Sequence, residues 1–232
     1  MTGAPSPRSP TPTRVGTSPT RGATVSSASA PTRGASPTTR EHVLDHATTL
    51  IRERGFRATS IGDLLDRSGI QKGSFYYYFP SKEDLGHAVL DRFILDLESR
   101  LLDFLTAPTG PAPLERIGAV LDGFVAQTEA SGGKGGCPFG TLAMELSDVH
   151  EGFRSRLSEA LKRLENAFAD LLERAREAGE LRPDADPKAL ATFVMAGLEG
   201  GMLLAKTHRD CAWLRTPLRL VEAHLASYRT VS

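Results

Sequence analysis

The 232-residue chain has no net charge to offer a partner: its 28 basic residues are matched by 28 acidic ones. Bulk attraction to nucleic acid or to an anionic membrane is thereby excluded, and any basic surface must come from local clustering. Cysteine is scarce. Two thiols, Cys137 and Cys211, are too few for the disulfide framework of a secreted domain, so a reducing cytoplasm is the expected setting. No apolar run approaches the roughly 20 residues of a membrane span, and the N-terminus lacks the short apolar core of an export signal. No membrane partner is expected. Sustained apolar–polar alternation is missing too, which removes half-buried strands and leaves an all-α fold class. With 40% hydrophobic residues the chain is long enough for a sizeable core and more than one domain.

What is present changes abruptly along the chain. Residues 1–37 are dominated by Pro, Ser, Thr, Ala, Gly and Arg, with isolated Val15 and Val25, and cannot build a core. Arg8, Arg14, Arg21, Arg33 and Arg40 meet no acid there. Two readings stand open, a solvated tail or an arm that trails along phosphates or into a minor groove. From Thr39 onward Val43, Leu44, Ala47, Leu50 and Ile51 fall at helical spacing, and Gly55 follows as a stop. A second short helix is expected over about 60–67, capped by Thr59 or Ser60 and ended by Gly69, and a third over 71–79. Ser81-Lys-Glu-Asp84 opens a long helix with Leu90, Ile94, Leu97, Leu101 and Leu105 on one stripe. Pro108, Pro111 and Pro113 interrupt it. Further helical stripes run through 114–124, 153–171, 190–198 and 214–225.

The block Arg57–Leu85 places two short helices around Ser68-Gly69-Ile70, a turn that glycine makes without a Cβ clash. That is helix-turn-helix geometry over about 60–79. Between Asp66 and Glu83 the charges are Arg67, Lys72 and Lys82, so this segment is locally basic. Phe75 and Phe79, four apart, can pack inward, which turns Gln71, Lys72, Ser74, Tyr76 and Tyr77 outward. Gly73 sacrifices about 1 kcal/mol of helix propensity and lets a phosphate or base approach the backbone. Plain core packing is the reading for Phe79 and Tyr78; for Tyr76 and Tyr77 DNA contact is favoured over it.

G-F-x-x-T-S-I-x-x-L followed by S-G-I-x-K-G-S-F-Y-Y-Y-F-x-S-K-E-x-L resembles the DNA-binding signature of the tetracycline-repressor (TetR) family, over residues 38–98. The resemblance implies a dimeric transcriptional regulator, most simply a repressor, bound to a palindromic double-stranded operator. It implies that Thr59 and Lys82 hold phosphates, that Lys72 and Gly73 sit at the groove, and that Tyr76 and Tyr77 contact backbone or thymine methyls. Gln71 departs from the Ser or Thr frequent in the family, and a glutamine there can pair with adenine N6 and N7. Residues 99–232 resemble the family's ligand-binding and dimerisation domain in layout. The last two long helices, about 186–208 and 212–228, would form a four-helix bundle across a two-fold axis, with Leu214, Leu218, Val221 and Leu225 on the interface. Gly197, Gly200 and Gly201 provide a smooth face for a close helix crossing between subunits or, alternatively, room for a ligand.

A glycine-rich loop, residues 131–136, delivers Cys137 to the start of a helix over about 141–148. Exposed helix N–H groups, with Lys134 nearby, are expected to lower the thiol pKa and make it reactive. Family members with a Gly-Cys at this place include responders to aldehydes, quinones or oxidants, which makes Cys137 the candidate effector or redox sensor, with Lys206 or Cys211 as possible partners. A buried, inert cysteine is the bland alternative. His150, His208, His224 and Glu199 show no metal-ligand spacing, so no metal and no other cofactor is expected. Besides the regulator, two other functions are carried: a thiol enzyme using Cys137, which lacks any marked base, and a helical adaptor without DNA binding, against which Lys72, Gly73 and Lys82 argue.

Overall fold

The computed structural model describes residues 38–230; the reading of the arginine-containing tail up to residue 37 lies outside them. Helix α1 (Thr39–Arg54) starts where the Thr38 hydroxyl accepts the Glu41 N–H, and buries Val43, Leu44, Ala47, Leu50 and Ile51. Helix α2 (Ile61–Ser68) is capped by Ser60 rather than Thr59, through a reciprocal capping box with Asp63, and Gly69 ends it in the left-handed region at φ 68°. Helix α3 (Lys72–Tyr78) is short and buries Phe75. Helix α4 (Lys82–Leu97), capped by Ser81, runs through a π-helical turn at Glu98–Leu102 into α5 (Asp103–Thr106). Then follow α6 (Pro113–Ala130), α7 (Pro138–Leu146), α8 (Glu151–Glu177), α9 (Pro187–His208) and α10 (Ala212–Ser227). Among the described residues the extended pairing is confined to one isolated bridge, Leu181 with Arg229. The fold is all-α.

Two apolar clusters organise these helices, and they do not divide at residue 98. The first joins α1–α4 to Phe139, Leu142 and Leu146 of α7 and to Phe153, Leu157 and Ala160 of α8. The second gathers α6, the remainder of α8, α9 and α10. Helix α8 is long enough, at about 40 Å for its 27 residues, to serve both. Phe93 of α4 meets Phe139 of α7 edge-on, with ring centroids 6.4 Å apart, inside the first cluster. Arg92 ties α1 to α4, reaching Glu41 at 2.6 Å and Asp45 at 3.0 Å. After α5 the chain turns sharply around Arg116, which is only 1% exposed. Its guanidinium donates to the carbonyls of Leu105, Ala107, Thr109 and Pro111 at 2.7–3.3 Å, satisfying the end of α5 and the proline-containing turn.

The C-terminal helices correct two expectations. Helix α9 is long and apolar enough to cross a membrane by length and composition. Glu199, with Gly197, Gly200 and Gly201 around it, breaks the apolar run, which hides that length in the sequence. The helix packs between α8 and α10 as the central helix of the second cluster, burying Leu190, Ala191, Val194, Leu198, Met202 and Ala205. The residues expected at a subunit interface are mostly spent inside the subunit. A Cβ on Gly197 would lie 2.7 Å from Val221 Cγ2, and one on Gly201 would lie 2.7 Å from Leu214 Cδ1. Leu214, Leu218, Val221 and Leu225 are all buried. The close helix crossing is real, but its partner is α10 of the same chain. Of the three glycines only Gly200 faces open space, on an outer surface shared with exposed Phe193, Leu203, Leu204, Trp213 and Leu220.

Candidate nucleic-acid interface and cavity

Helix α3 presents one face to the core and the other to solvent. Phe75 and Phe79 are buried with ring centroids 5.9 Å apart, and Tyr78 is half-buried. Gln71, Lys72, Gly73, Ser74 and Tyr76 are exposed, and Tyr77 is 81% exposed. Gln71 occupies the N-cap position without a side-chain capping bond, so its amide remains available to read a base edge. Lys72 is exposed, and its ammonium lies 6.0 Å from the Tyr76 ring centroid. A Cβ placed on Gly73 would meet nothing within 4 Å. Arg67, part of the same locally basic segment, is paired with Glu53 at 3.2 Å and contributes less.

The phosphate expectation for Thr59 fails on geometry. Its side chain is 2% exposed and its hydroxyl donates to the Gly55 carbonyl at 2.8 Å, which closes the turn between α1 and α2. The sequence placed a polar residue at the right turn; burial and the nearby carbonyl decided its role. Lys82, by contrast, is half-exposed at the start of α4. Its ammonium donates to the Arg57 carbonyl at 3.4 Å and sits 4.6 Å from the Phe56 ring centroid. Partial burial pulls its pKa below the usual lysine value, against the pull of Glu145 and Asp63. Glu145, which no motif or spacing singles out, approaches from α7 and accepts the Arg57 N–H at 2.9 Å.

A cavity of about 520 Å³ lies between the clusters, walled by Phe93, Leu97, Leu101, Phe124, Phe139 and Met202, with Arg100 and Lys134 also in its lining. Such a volume, apolar with a few polar groups, suits a small organic molecule. Cys137 and Glu199 both line it. Cys137 is the N-cap of α7, and its sulfur accepts the Gly140 N–H at 3.4 Å. The expected activation of this thiol does not follow. Burial, and then the charge and hydrogen bonding of Glu199, push its pKa well above the ordinary thiol value, outweighing the helix N–H groups. Burial likewise raises the Glu199 carboxyl. Lys206 packs against Gly136 and donates to the Thr141 hydroxyl at 3.4 Å, close to the cysteine loop. Cys211 instead donates towards the Val125 carbonyl at 3.5 Å. Sequence spacing carried no signal for Glu199, which arrives from a helix far along the chain.

Glu83 and His87, four apart on α4, meet His150 from the start of α8 in a cluster of metal-ligating side chain types, their candidate ligand atoms within 4.8 Å of one another. Its donors are already engaged. His150 Nδ1 accepts the Phe153 N–H at 3.3 Å as the cap of α8, which leaves Nε2 protonated to donate to Glu83 at 2.5 Å. Arg156 donates to His87 Nδ1 at 3.1 Å and holds a positive charge where a cation would sit. Burial first, and then Arg156, lower the His87 pKa. The cluster is read as a bridge between α4 and α8.

Known proteins share this architecture. Residues 43–89 match the model of the bacterial regulatory proteins, tetR family, and residues 113–221 match that of the tetracyclin repressor-like C-terminal domain. The HTH-type transcriptional repressor DhaR of Mycobacterium sp. (strain GP1) is 31% identical over 83% of this chain and 96% of its own. The HTH-type transcriptional repressor NemR of Escherichia coli (strain K12) is 31% identical over 82% and 94%. Among solved structures, reduced E. coli NemR superposes with a TM-score of 0.70 at 30% identity, covering 83% of this chain and 98% of that one. A TetR regulatory protein from Rhodobacter sphaeroides does so with a TM-score of 0.75 at 28% identity, over 81% and 99%. With the helix-turn-helix and the helical body in place, the conclusion is plain: this chain belongs to the TetR family of bacterial transcriptional regulators.

Proposed function

We propose that the protein is a dimeric repressor whose paired α3 helices read a palindromic operator and which a small molecule entering the cavity releases. The observation that carries this reading is the outer face of α3. Gln71, Lys72, Gly73, Ser74, Tyr76 and Tyr77 are all exposed, and that face buries nothing in the subunit. Lys72 and Lys82 supply phosphate or groove contacts, Gln71 a base contact, and Gly73 the close approach. The outer surface of α9 and α10 around Phe193, Gly200, Leu203, Leu204, Trp213 and Leu220 serves as the dimer interface. These residues recur at helical spacing and leave an apolar stripe uncovered. Helix α4 runs without a break from the reading head into the cavity wall at Phe93 and Leu97, so an effector that prefers one α4 position shifts the population of DNA-competent dimers.

A non-covalent effector is the primary reading, because the Cys137 thiol is held in its neutral form. A covalent effector is the second, favoured by the position of Cys137 on the cavity wall. Fluorescence anisotropy on labelled DNA from upstream of the protein's own gene, at two salt concentrations, tests the reading. Tight binding that resists competitor DNA and weakens with salt supports a regulator. Release by a thiol-reactive electrophile from wild type but not from Cys137→Ser would establish the covalent effector; release from neither points to the non-covalent one. Absence of specific binding, both there and after selection from random sequence, would overturn the repressor reading.

A further inference from the structure

Helix α7 touches both halves of the proposed function. Its N-cap, Cys137, lines the cavity, and about 12 Å further along by helical rise its single acid, Glu145, reaches the reading head. There the residue Arg57 is held from two sides. Glu145 Oε2 accepts its backbone N–H at 2.9 Å, while its carbonyl accepts from Lys82 Nζ at 3.4 Å. The fit is tight: a Cβ on Gly55 would overlap the Glu145 carboxylate. Phe56, between them, carries the Lys82 ammonium on its ring face and leans on Phe153 of α8 at 5.7 Å. Leu142 and Leu146 of α7 are buried in the head's own cluster, so α7 and the Gly55–Thr59 turn form one packed unit.

We propose that Glu145 is a positioning residue for DNA binding. Its carboxylate fixes the Arg57 backbone N–H, and the carbonyl of the same residue seats the Lys82 ammonium, so that the placement of α7 in the body sets the reach of Lys82 towards a phosphate. This rests on the assignment of Lys82 as a phosphate contact. The proposal has an unusual sign. Glu145 is an acid beside a DNA-facing lysine, so simple charge counting says that its removal strengthens DNA binding. Positioning says that removal weakens it.

The test uses the full-length protein and a labelled mixed-sequence duplex, to which binding is dominated by phosphate contacts. The readout is the slope of log affinity against log salt, which becomes shallower by about 0.9 for each phosphate that the protein no longer neutralises. A dimer in which neither Lys82 reaches its phosphate should show a slope shallower by about 2. Lys82→Ala is expected to give that change and Glu145→Ala to reproduce it, with the double variant no worse than either. Glu145→Gln, which keeps an acceptor for the Arg57 N–H, retains the wild-type slope. Glu145→Asp, whose shorter side chain keeps the charge but withdraws from Arg57, does not; this milder variant carries the test if the alanine protein does not fold. A wild-type slope in Lys82→Ala would overturn the lysine assignment and the proposal with it. A shallower slope in Lys82→Ala with a wild-type slope in Glu145→Ala, or in Glu145→Asp, would overturn the proposal alone. Exchange of the Arg57 amide, faster in Glu145→Asp and unchanged in Glu145→Gln, gives the matching structural readout.

Discussion

Gly73→Ala separates what α3 does for the fold from what it does for DNA, because the two effects have opposite signs. In the free protein Gly73 lies in the first turn of α3, is exposed, and has open space wherever a Cβ would go. Its backbone is not among those with positive φ, so alanine fits without strain. Replacing glycine by alanine in a helix gains about 0.5–1 kcal/mol. For a chain of this size that corresponds to a melting temperature higher by about 1–4 °C. On DNA the same methyl group enters the space that lets the helix backbone approach the duplex, and it displaces the neighbouring Lys72 from the groove. Removing one good base contact costs about 1–3 kcal/mol, or about 5- to 150-fold in affinity for each subunit. Thermal melting by circular dichroism and operator binding by anisotropy, on the same preparations, give both signs. A more stable variant that binds as tightly as wild type would refute the placement of Gly73 at the groove. A less stable variant would refute its exposed, unstrained environment.

Four further outcomes follow from the geometry. Arg116→Met removes four hydrogen bonds to backbone carbonyls around a buried cation, and urea denaturation should show a loss of about 3–5 kcal/mol; a loss below about 1 kcal/mol would contradict the clamp. Cys137 should be alkylated by iodoacetamide at pH 8 at least about tenfold more slowly than a free cysteine, each pKa unit removing a factor of about ten in thiolate, and Glu199→Gln should accelerate it. Because burial raises the Glu199 carboxyl, its folded state favours the proton. That contribution is full below the ordinary carboxylate range and is lost as pH rises through the raised value, so Glu199→Gln should gain melting temperature over wild type as pH rises, and equal pH profiles would contradict it. Gly201→Ala should destabilise the subunit through Leu214, whereas Gly200→Leu should leave the isolated fold intact and weaken dimerisation in sedimentation; the reverse pattern would return the interface to the inner face.

Local chemistry made much of the fold legible. Ser60 and Ser81 announce helix starts because hydroxyls capture orphan N–H groups, and Gly69 announces a turn because it tolerates positive φ. The exposed face of α3 followed from Phe75 and Phe79 standing four apart. What failed was information that only tertiary packing carries. Thr59 has the residue type and place of a phosphate ligand, yet the Gly55 carbonyl claims its hydroxyl. Cys137 stands at a helix N-terminus, as expected, but Glu199 from α9 and burial reverse the effect on its thiol. Gly197 and Gly201 signalled a close helix crossing without saying whether the second helix belongs to the same chain. Glu145 looks like an ordinary surface acid until α7 docks against the head.

The central claim, that paired α3 helices of a dimer read one operator, is tested most directly by selecting sites from a random-sequence DNA pool with the full-length protein and footprinting the winners. The account predicts enrichment of a palindrome protected on one face of the duplex, with half-sites about 34–36 Å apart or a multiple of a helical turn, and loss of the enrichment with Tyr77→Ala or Lys72→Ala. Enrichment of a non-palindromic site, or no enrichment at all by a correctly folded dimer, would contradict it.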